Sequence, residues 1–394
     1  MDIRTDSYDH RHVATLDNHD DVHHEMRAKC PVAHSENYGG FWTLTRHEDV
    51  DLATRDTTRF SSLPTVTLPA VGAPKPFIPV ECDPPEHQKY RTLLNMVFRP
   101  RRIEEFEGRI REHVVHLVDA FAANGRADLA KDFVFPLTAR VITWFLGIPD
   151  EDVARFSQWS LGLVTVGDPE EELRLQTEIR DYYLGLIARR RERPADDLAS
   201  HLLASTIDGR PVTEEETLDI YLTLTGAGGE TTAATGNHLF RLLDLHRDLR
   251  ERLLAEPELI PSAIEEILRY VTPVYGFRRT TTCEVEVGGT RIPQGEAVWL
   301  SWLSANHDES EFPEPGRIIP DRKPNRHLAF GAGVHRCPGA PLARLQLRVM
   351  LEEILTRLPD YQLADPDAVS IVPAVTRVIT SLPIVFTAPP RSNR

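Results

Sequence analysis

The sequence predicts a mainly α-helical protein with minor β-sheets, built as one large domain. Three observations carry this. Long stretches place apolar residues three and four positions apart. Strand-like pieces are short and gather toward the two ends of the chain. No Gly/Ser linker, internal repeat or low-complexity tract divides the 394 residues. An apolar fraction of 41% supports a substantial core and excludes wholesale disorder. A formal net charge of −15 makes nucleic acid an unsuitable partner.

Residues 1–35 read as a polar N-terminal segment ahead of a single domain over 36–394. Its histidines (His10, His12, His19, His23, His24) are expected in a solvated tail rather than a metal site, because no fixed scaffold surrounds them. The segment lacks the apolar centre of a signal peptide. No run of about 18 apolar residues occurs anywhere, so no membrane anchor is expected. GFWTLTR (40–46) reads as a short strand. Residues 61–81 hold five prolines with the bulky Phe77 and Ile78, a long irregular segment of the kind that is often functional. Ile103, Phe106, Ile110, Val114, Leu117 and Phe121 predict a helix over 103–124, with Gly125 as its C-cap. Helical patterns continue over 136–147, 151–164, 170–190 and 214–245, and from Pro261 to Tyr270. CEVEVGGTRI, EAVWLSW and SLPIVFTA read as strands.

The four cysteines, Cys30, Cys82, Cys283 and Cys337, lie far apart with no CxxC pairing. This disfavours a zinc ribbon or a disulfide scaffold and suggests a reducing, cytoplasmic location. Cys337 stands out, because a glycine-rich loop, Phe330–Cys337, runs directly into a helix there. Gly331 and Gly333 permit tight positive-φ turns. Free N–H groups and the positive end of the helix dipole favour thiolate at Cys337, and Pro341 suits the first helical turn.

The stretch HLAFGAGVHRCPGAPLARLQLR (327–348) resembles the haem-binding signature of the cytochrome P450 family, FGxGxHxCxGxxLAR, at every specified position. The resemblance extends from about residue 36 to 388. It implies the family's triangular-prism fold, with haem b between a central and a proximal helix. Cys337 would be the axial thiolate ligand of the haem iron, with Phe330 shielding the sulfur and Gly331 and Gly339 shaping the loop. Pro338 departs from the leucine usual in bacterial relatives and removes one possible N–H donor to the sulfur.

Three more motifs follow in the family's order. AGGETT, within 221–243, is similar to the oxygen-binding motif of the central helix. Thr231 would hydrogen-bond dioxygen or its protonating water, and Glu230 would relay protons. Gly226, Gly228 and Gly229 each weaken the helix by about 1 kcal/mol relative to alanine. Gly229, where relatives carry histidine, is expected to widen the pocket. Glu266 and Arg269 match ExxR, a buried pair that braces the cysteine loop. Arg317 is the candidate second arginine, with Arg322 as its rival. His87 and Arg91, four apart on a helix begun by Pro84-Pro85, would bind a haem propionate. His335 and Arg279 would join them, with Arg278 the alternative to Arg279. Arginine supplies 40 of the 45 basic residues, which suits carboxylate recognition.

The resemblance implies an enzyme, a monooxygenase that takes electrons from NAD(P)H through a ferredoxin or flavodoxin and its reductase. With dioxygen it would hydroxylate a mostly apolar small molecule in secondary metabolism or catabolism. The substrate pocket is expected around Phe77, Leu224, Ala227, Val274 and Thr376, within the segments 64–80, 224–227, 274–277 and 374–379. The 61–81 loop and the helices near 150–185 would gate entry. Arg322, Lys323, Arg326, Arg336, Arg344 and Arg348, with Lys89, Arg99, Arg101 and Arg102, are expected to form a basic docking face on an acidic protein. Other haem-thiolate chemistry stays open as an alternative: peroxide-driven oxidation, dehydrogenation, ring coupling or nitration. A non-catalytic haem-thiolate sensor would need neither the acid–alcohol pair nor an electron-transfer face.

Overall fold

Apolar periodicity becomes helix at each expected place, with two interruptions. A computed structural model describes residues 5–16, 18–70, 76–165, 168–369, 371–373 and 375–388. Its principal helices are α1 (His10–Val13), α2 (His19–Lys29), α3 (Glu86–Val97), α4 (Glu107–Ala122), α5 (Phe135–Leu146), α6 (Val153–Thr165), α7 (Pro169–Glu192), α8 (Glu214–Gly228), α9 (Glu230–Leu245), α10 (Ile260–Val271) and α11 (Ala340–Arg357). The helix expected over 103–124 starts as a separate turn, Pro100–Glu104, before α4. The helix expected over 214–245 breaks at Gly229, whose φ of −100° and ψ of −59° depart from helical values. Gly147 closes α5 in the left-handed region at φ 69°.

The core lies where α9 packs on α5, α10 and α11, and where α11 packs on α4. A five-stranded sheet stands to one side. Its strands are β1 (Val32–Ser35), β2 (Phe41–Leu44), β3 (Phe60–Ser61), β4 (Phe277–Thr281) and β5 (Ala297–Leu300), in the order β1-β2-β5-β4-β3. β5 runs parallel to β2, with Val298 opposite Trp42, and the other pairs are antiparallel. The remaining expected strands appear as a Val285–Val287/Thr290–Ile292 hairpin and as Pro383–Val385, which pairs with Gln362–Leu363 and Arg126–Asp128. Early and late segments thus meet in shared sheets.

The N-terminal segment is not a solvated tail. Tyr8, His10, His19, His23 and Met26 are buried, and Val32–Ser35 is an edge strand of the main sheet. Imidazole rings take the packing role that aliphatic side chains usually fill, so apolar periodicity gave no sign of it. The His10 ring lies 4.1 Å from that of Trp299, and His19 meets His307 edge-on at 5.2 Å. Burial keeps these rings neutral, pushing the His10 pKa down to about 4 and the His23 pKa to about 3. Among the described residues, no group of three or more His, Cys, Asp or Glu could hold a metal ion. No described helix is long and apolar enough to cross a membrane.

Candidate active site

The cysteine loop is held from behind by a buried ionic network. Glu266 and Arg269, one turn apart on α10, are both fully buried and make paired bonds of 2.8 and 2.9 Å. Arg322 Nε donates to both carboxylate oxygens of Glu266 at 3.0 Å, as does the backbone N–H of Ile319 to one of them. The second arginine is therefore Arg322. Arg317 turns its guanidinium outward to Glu314 and contributes only its carbonyl, which accepts from Arg269 and Arg322. Arg269 also donates to Asn306 O at 2.7 Å, and Asn306 Oδ1 accepts from the N–H of Leu328 at 2.6 Å. One chain of bonds thus links the pair to the start of the loop.

Within the loop, Gly331 and Gly333 adopt φ of 63° and 64°, as expected. Cys337 N–H donates to Phe330 O at 2.9 Å, closing the turn. A Cβ at Gly333 would meet Arg55 Cα at 3.1 Å, and one at Gly339 would stand 3.8 Å from Cys337 Sγ. Arg344 lies over the Phe330 ring at 4.6 Å and is held by Glu265 through two bonds of 2.6 and 2.7 Å. Burial would raise the Glu265 pKa, but Arg344 and His327 outweigh it and hold the carboxyl at about 2. Sequence reasoning overlooked Asn306, Asn325 and Glu265, whose roles come from distant partners rather than local spacing.

A cavity of about 230 Å³ separates this loop from α8 and α9. Cys337, Pro338, Gly339, Phe330 and Gln346 line one side, and Leu224, Ala227, Gly228, Thr231 and Thr235 line the other. The Cys337 thiol is open to the cavity. Burial raises its pKa, outweighing the Gly339 and Ala340 N–H groups and the charges of Arg91 and Arg344 that favour thiolate. The N–H groups at the helix start thus act in the direction the sequence predicts, against the effect of burial.

One edge of the cavity collects donors. His87, Arg91 and His335 line it, and the two imidazoles stand 4.2 Å apart. Arg279 on β4 is buried nearby, and its charge helps depress His335. Burial and the Arg91 charge lower the pKa of His87 to about 4, burial and the charges of Arg279, His87 and Arg91 lower that of His335 to about 3, and burial lowers that of Arg279 to about 10. His87 Nδ1 and Arg279 Nε are buried without a hydrogen-bond partner, whereas Arg91 Nε donates to Asn95. Arg278 likewise has an unpartnered Nε. Unsatisfied buried donors are rare in finished proteins. Here they fit a ligand bearing carboxylates, with a sulfur donor facing its centre. The residue set therefore suits haem.

On the opposite wall, Thr231 donates to Ala227 O at 3.0 Å and faces the cavity. Glu230 is buried behind it and does not line the cavity. Its Oε2 lacks a partner, and burial alone pushes its pKa up to about 7. Gly229 does not widen the pocket: a Cβ there would meet Ser160 Oγ at 3.0 Å. A Cβ at Gly228 would strike Ile142 Cγ1 at 2.5 Å. Both glycines let neighbouring helices pack closely on the central helix.

Leu224, Ala227 and Val274 line the cavity, joined by Pro79, Val80, Ile142, Thr223 and Phe277. Phe77 and Thr376 do not. Phe77 is half-buried, with its N–H on the Glu81 carboxylate, and Thr376 is buried elsewhere with an unpartnered hydroxyl. Residues 71–75 of the proline-rich loop, 166–167 of the gating region and Ala374 of the late turn lie outside the described residues.

The expected basic face is largely neutralised. Arg322 is buried on Glu266, Arg344 pairs with Glu265, Arg348 with Glu107 and Glu352, Lys89 with Glu86 and Asp208, and Arg102 with Asp196. Arg326 approaches Glu311 at 3.6 Å. Arg99, Arg101, Lys323 and Arg336 are exposed and form no salt bridge among the described residues.

Comparison with known proteins completes the picture. The family model described as Cytochrome P450 matches residues 168–359. Cytochrome P450 130 of Mycobacterium tuberculosis is 36% identical over 362 residues, covering 89% of this chain and 88% of the relative. The mycinamicin IV hydroxylase/epoxidase of Micromonospora griseorubida is 40% identical over 334 residues, covering 83% and 84%. A mutant of P450 EryK in complex with erythromycin B superposes with a TM-score of 0.86 at 36% identity, covering 94% of this chain and 97% of that one.

Proposed function

Because this chain belongs to the cytochrome P450 family, whose named relatives include hydroxylases, and is a haem monooxygenase, we propose that it hydroxylates a mostly apolar small organic molecule. The observation that carries this is the facing of Cys337 and Thr231 across one cavity with unneutralised donors at its edge. Haem b supplies dioxygen activation by two electrons. Cys337 would hold its iron through the sulfur, and the Glu266–Arg269–Arg322 network fixes the loop that presents that sulfur. His87, Arg91, His335 and Arg279 would bind the propionates, which would satisfy the orphaned His87 Nδ1 and Arg279 Nε.

The Thr231 hydroxyl would hydrogen-bond dioxygen or the water that protonates it. Glu230, buried behind Thr231 with its pKa raised to about 7, would relay protons to it. Val80, Ile142, Leu224, Ala227, Val274 and Phe277 exclude water and hold an apolar substrate above the reacting centre. Electrons come from NAD(P)H through a ferredoxin or flavodoxin and its reductase. The donor docks by the unpaired cations Arg99, Arg101, Lys323 and Arg336, a smaller set than the sequence suggested. We assign the enzyme to the reducing cytoplasm, in keeping with four free cysteines.

The test supplies the purified enzyme with a surrogate ferredoxin, its reductase, NADPH and ¹⁸O-labelled dioxygen, together with macrolides and branched lipids. One labelled oxygen atom in a product supports the assignment. Product labelled only from water, or formed equally well from peroxide alone, contradicts it.

A further inference from the structure

The N-terminal segment contacts the 61–70 loop, the strand that begins at Arg377 and the Pro273–Phe277 turn, of which the turn lines the cavity through Pro273, Val274 and Phe277. His10 Nε2 donates to Leu68 O at 2.8 Å, in the proline-rich loop. Its ring packs at 6.0 Å from Tyr275, in the turn that carries Val274 and Phe277. Ala14 O accepts from Arg377 Nε at 2.8 Å, and the backbone N–H of Arg377 donates to Pro273 O at 3.0 Å. The loop is also clamped lower down. The Glu81 carboxylate accepts from Val66 N at 3.0 Å and from Phe77 N at 2.7 Å, and Val66 O accepts from Arg278 N at 2.7 Å. Pro79 and Val80, at the end of this loop, face the cavity.

His10 is the least expected of these contacts. It is buried to 1% exposure among Trp299, Phe41, Tyr38 and Tyr275, a pocket that phenylalanine would fill without desolvation cost. Its Nδ1 has no partner, so the bond to Leu68 O alone offsets burial of the polar ring. We propose that His10 is a positioning residue for substrate binding, holding the 61–70 loop against the Pro273–Phe277 turn and so setting the shape of the cavity wall. It touches no lining position itself, and its action runs through Leu68. The inference rests on the monooxygenase reading of the cavity.

The test compares the holoenzyme with H10F, which keeps a ring but loses the donor, and with H10Q, which restores an N–H at a similar reach. Two iron-binding probes separate wall from centre: imidazole, which contacts little beyond the iron, and 4-phenylimidazole, whose ring reaches the apolar wall. In H10F, 4-phenylimidazole should bind roughly 3- to 10-fold more weakly, the loss of one buried hydrogen bond. Imidazole binding should be unchanged, and hydrogen exchange should speed up at residues 61–70 in particular. H10Q should restore both readouts. Unchanged 4-phenylimidazole binding and loop exchange in H10F would overturn the proposal. So would equal weakening of both probes with exchange raised throughout, which marks general destabilisation. Should H10F fail to retain haem, H10N, too short to reach Leu68 O, carries the same comparison. Failure of the monooxygenase reading would appear separately, as unlabelled product from the wild type.

Discussion

Arg317 and Arg322 stand five residues apart, and only Arg322 reaches Glu266. Spacing could name both candidates, but the choice depends on how residues 313–322 turn around the buried carboxylate. Arg322→Ala and Glu266→Gln should each destabilise the holoenzyme by about 3–5 kcal/mol and accelerate haem loss, since each leaves buried charge uncompensated. Arg317→Ala should stay within about 0.5 kcal/mol, as surface changes do. Thermal unfolding and haem transfer to apomyoglobin measure both effects. The acid–alcohol pair was legible as a motif, but its geometry was not. Thr231→Ala should lower product formed per NADPH consumed by roughly 10-fold or more. The Glu230 pKa is about 7 in the fold against 4.5 when unfolded, so the folded state holds the extra proton between those values. Stability from that proton is present below about 4.5 and lost as pH rises through about 7. Glu230→Gln should therefore stabilise more at pH 8 than at pH 5, read as the difference in melting temperature.

At the scale of elements, the central helix shows where sequence reasoning ran short. The glycine cluster was expected only to weaken a continuous helix over 214–245, and the structure breaks it at Gly229. What the glycines accommodate was misread, because pocket and neighbouring helix are equally plausible occupants of space beside a glycine. The occupant is α6 at Ser160 and α5 at Ile142. Gly229→His should cost about 1–3 kcal/mol through overpacking against α6. Thermal unfolding of the holoenzyme checks it, with a gain in stability as the opposing outcome. The cysteine loop and α10 were legible because their chemistry is local: glycine turns, a helix start and an i, i+3 pair. The network joining them runs through Asn306 and Asn325, which no local pattern marks.

Across the whole molecule, the acidic, arginine-rich composition takes on a definite layout. Most arginines near the cysteine loop are paired with carboxylates, so the docking surface is narrower than the count of cations implied. Reduction by an acidic ferredoxin should still slow as salt rises, because exposed charges are screened over about 10 Å at 0.1 M. The N-terminal segment adds a second whole-molecule property. His10 and His23 are held at pKa values of about 4 and 3 against 6.5 when unfolded, so the unfolded chain binds more protons as pH falls below 6.5. Their contribution to stability is present above about 6.5 and declines below it. In the proposed enzyme, Cys337, held by the Glu266 network, presents a thiolate to haem iron across from Thr231. The most direct measurement is the difference spectrum of the reduced carbon monoxide complex, taken for the wild type and for C337S. The wild type should give the red-shifted band of thiolate ligation, and C337S should lose it. A wild-type band at the position of a neutral ligand, or a red-shifted band that survives in C337S, would contradict the account.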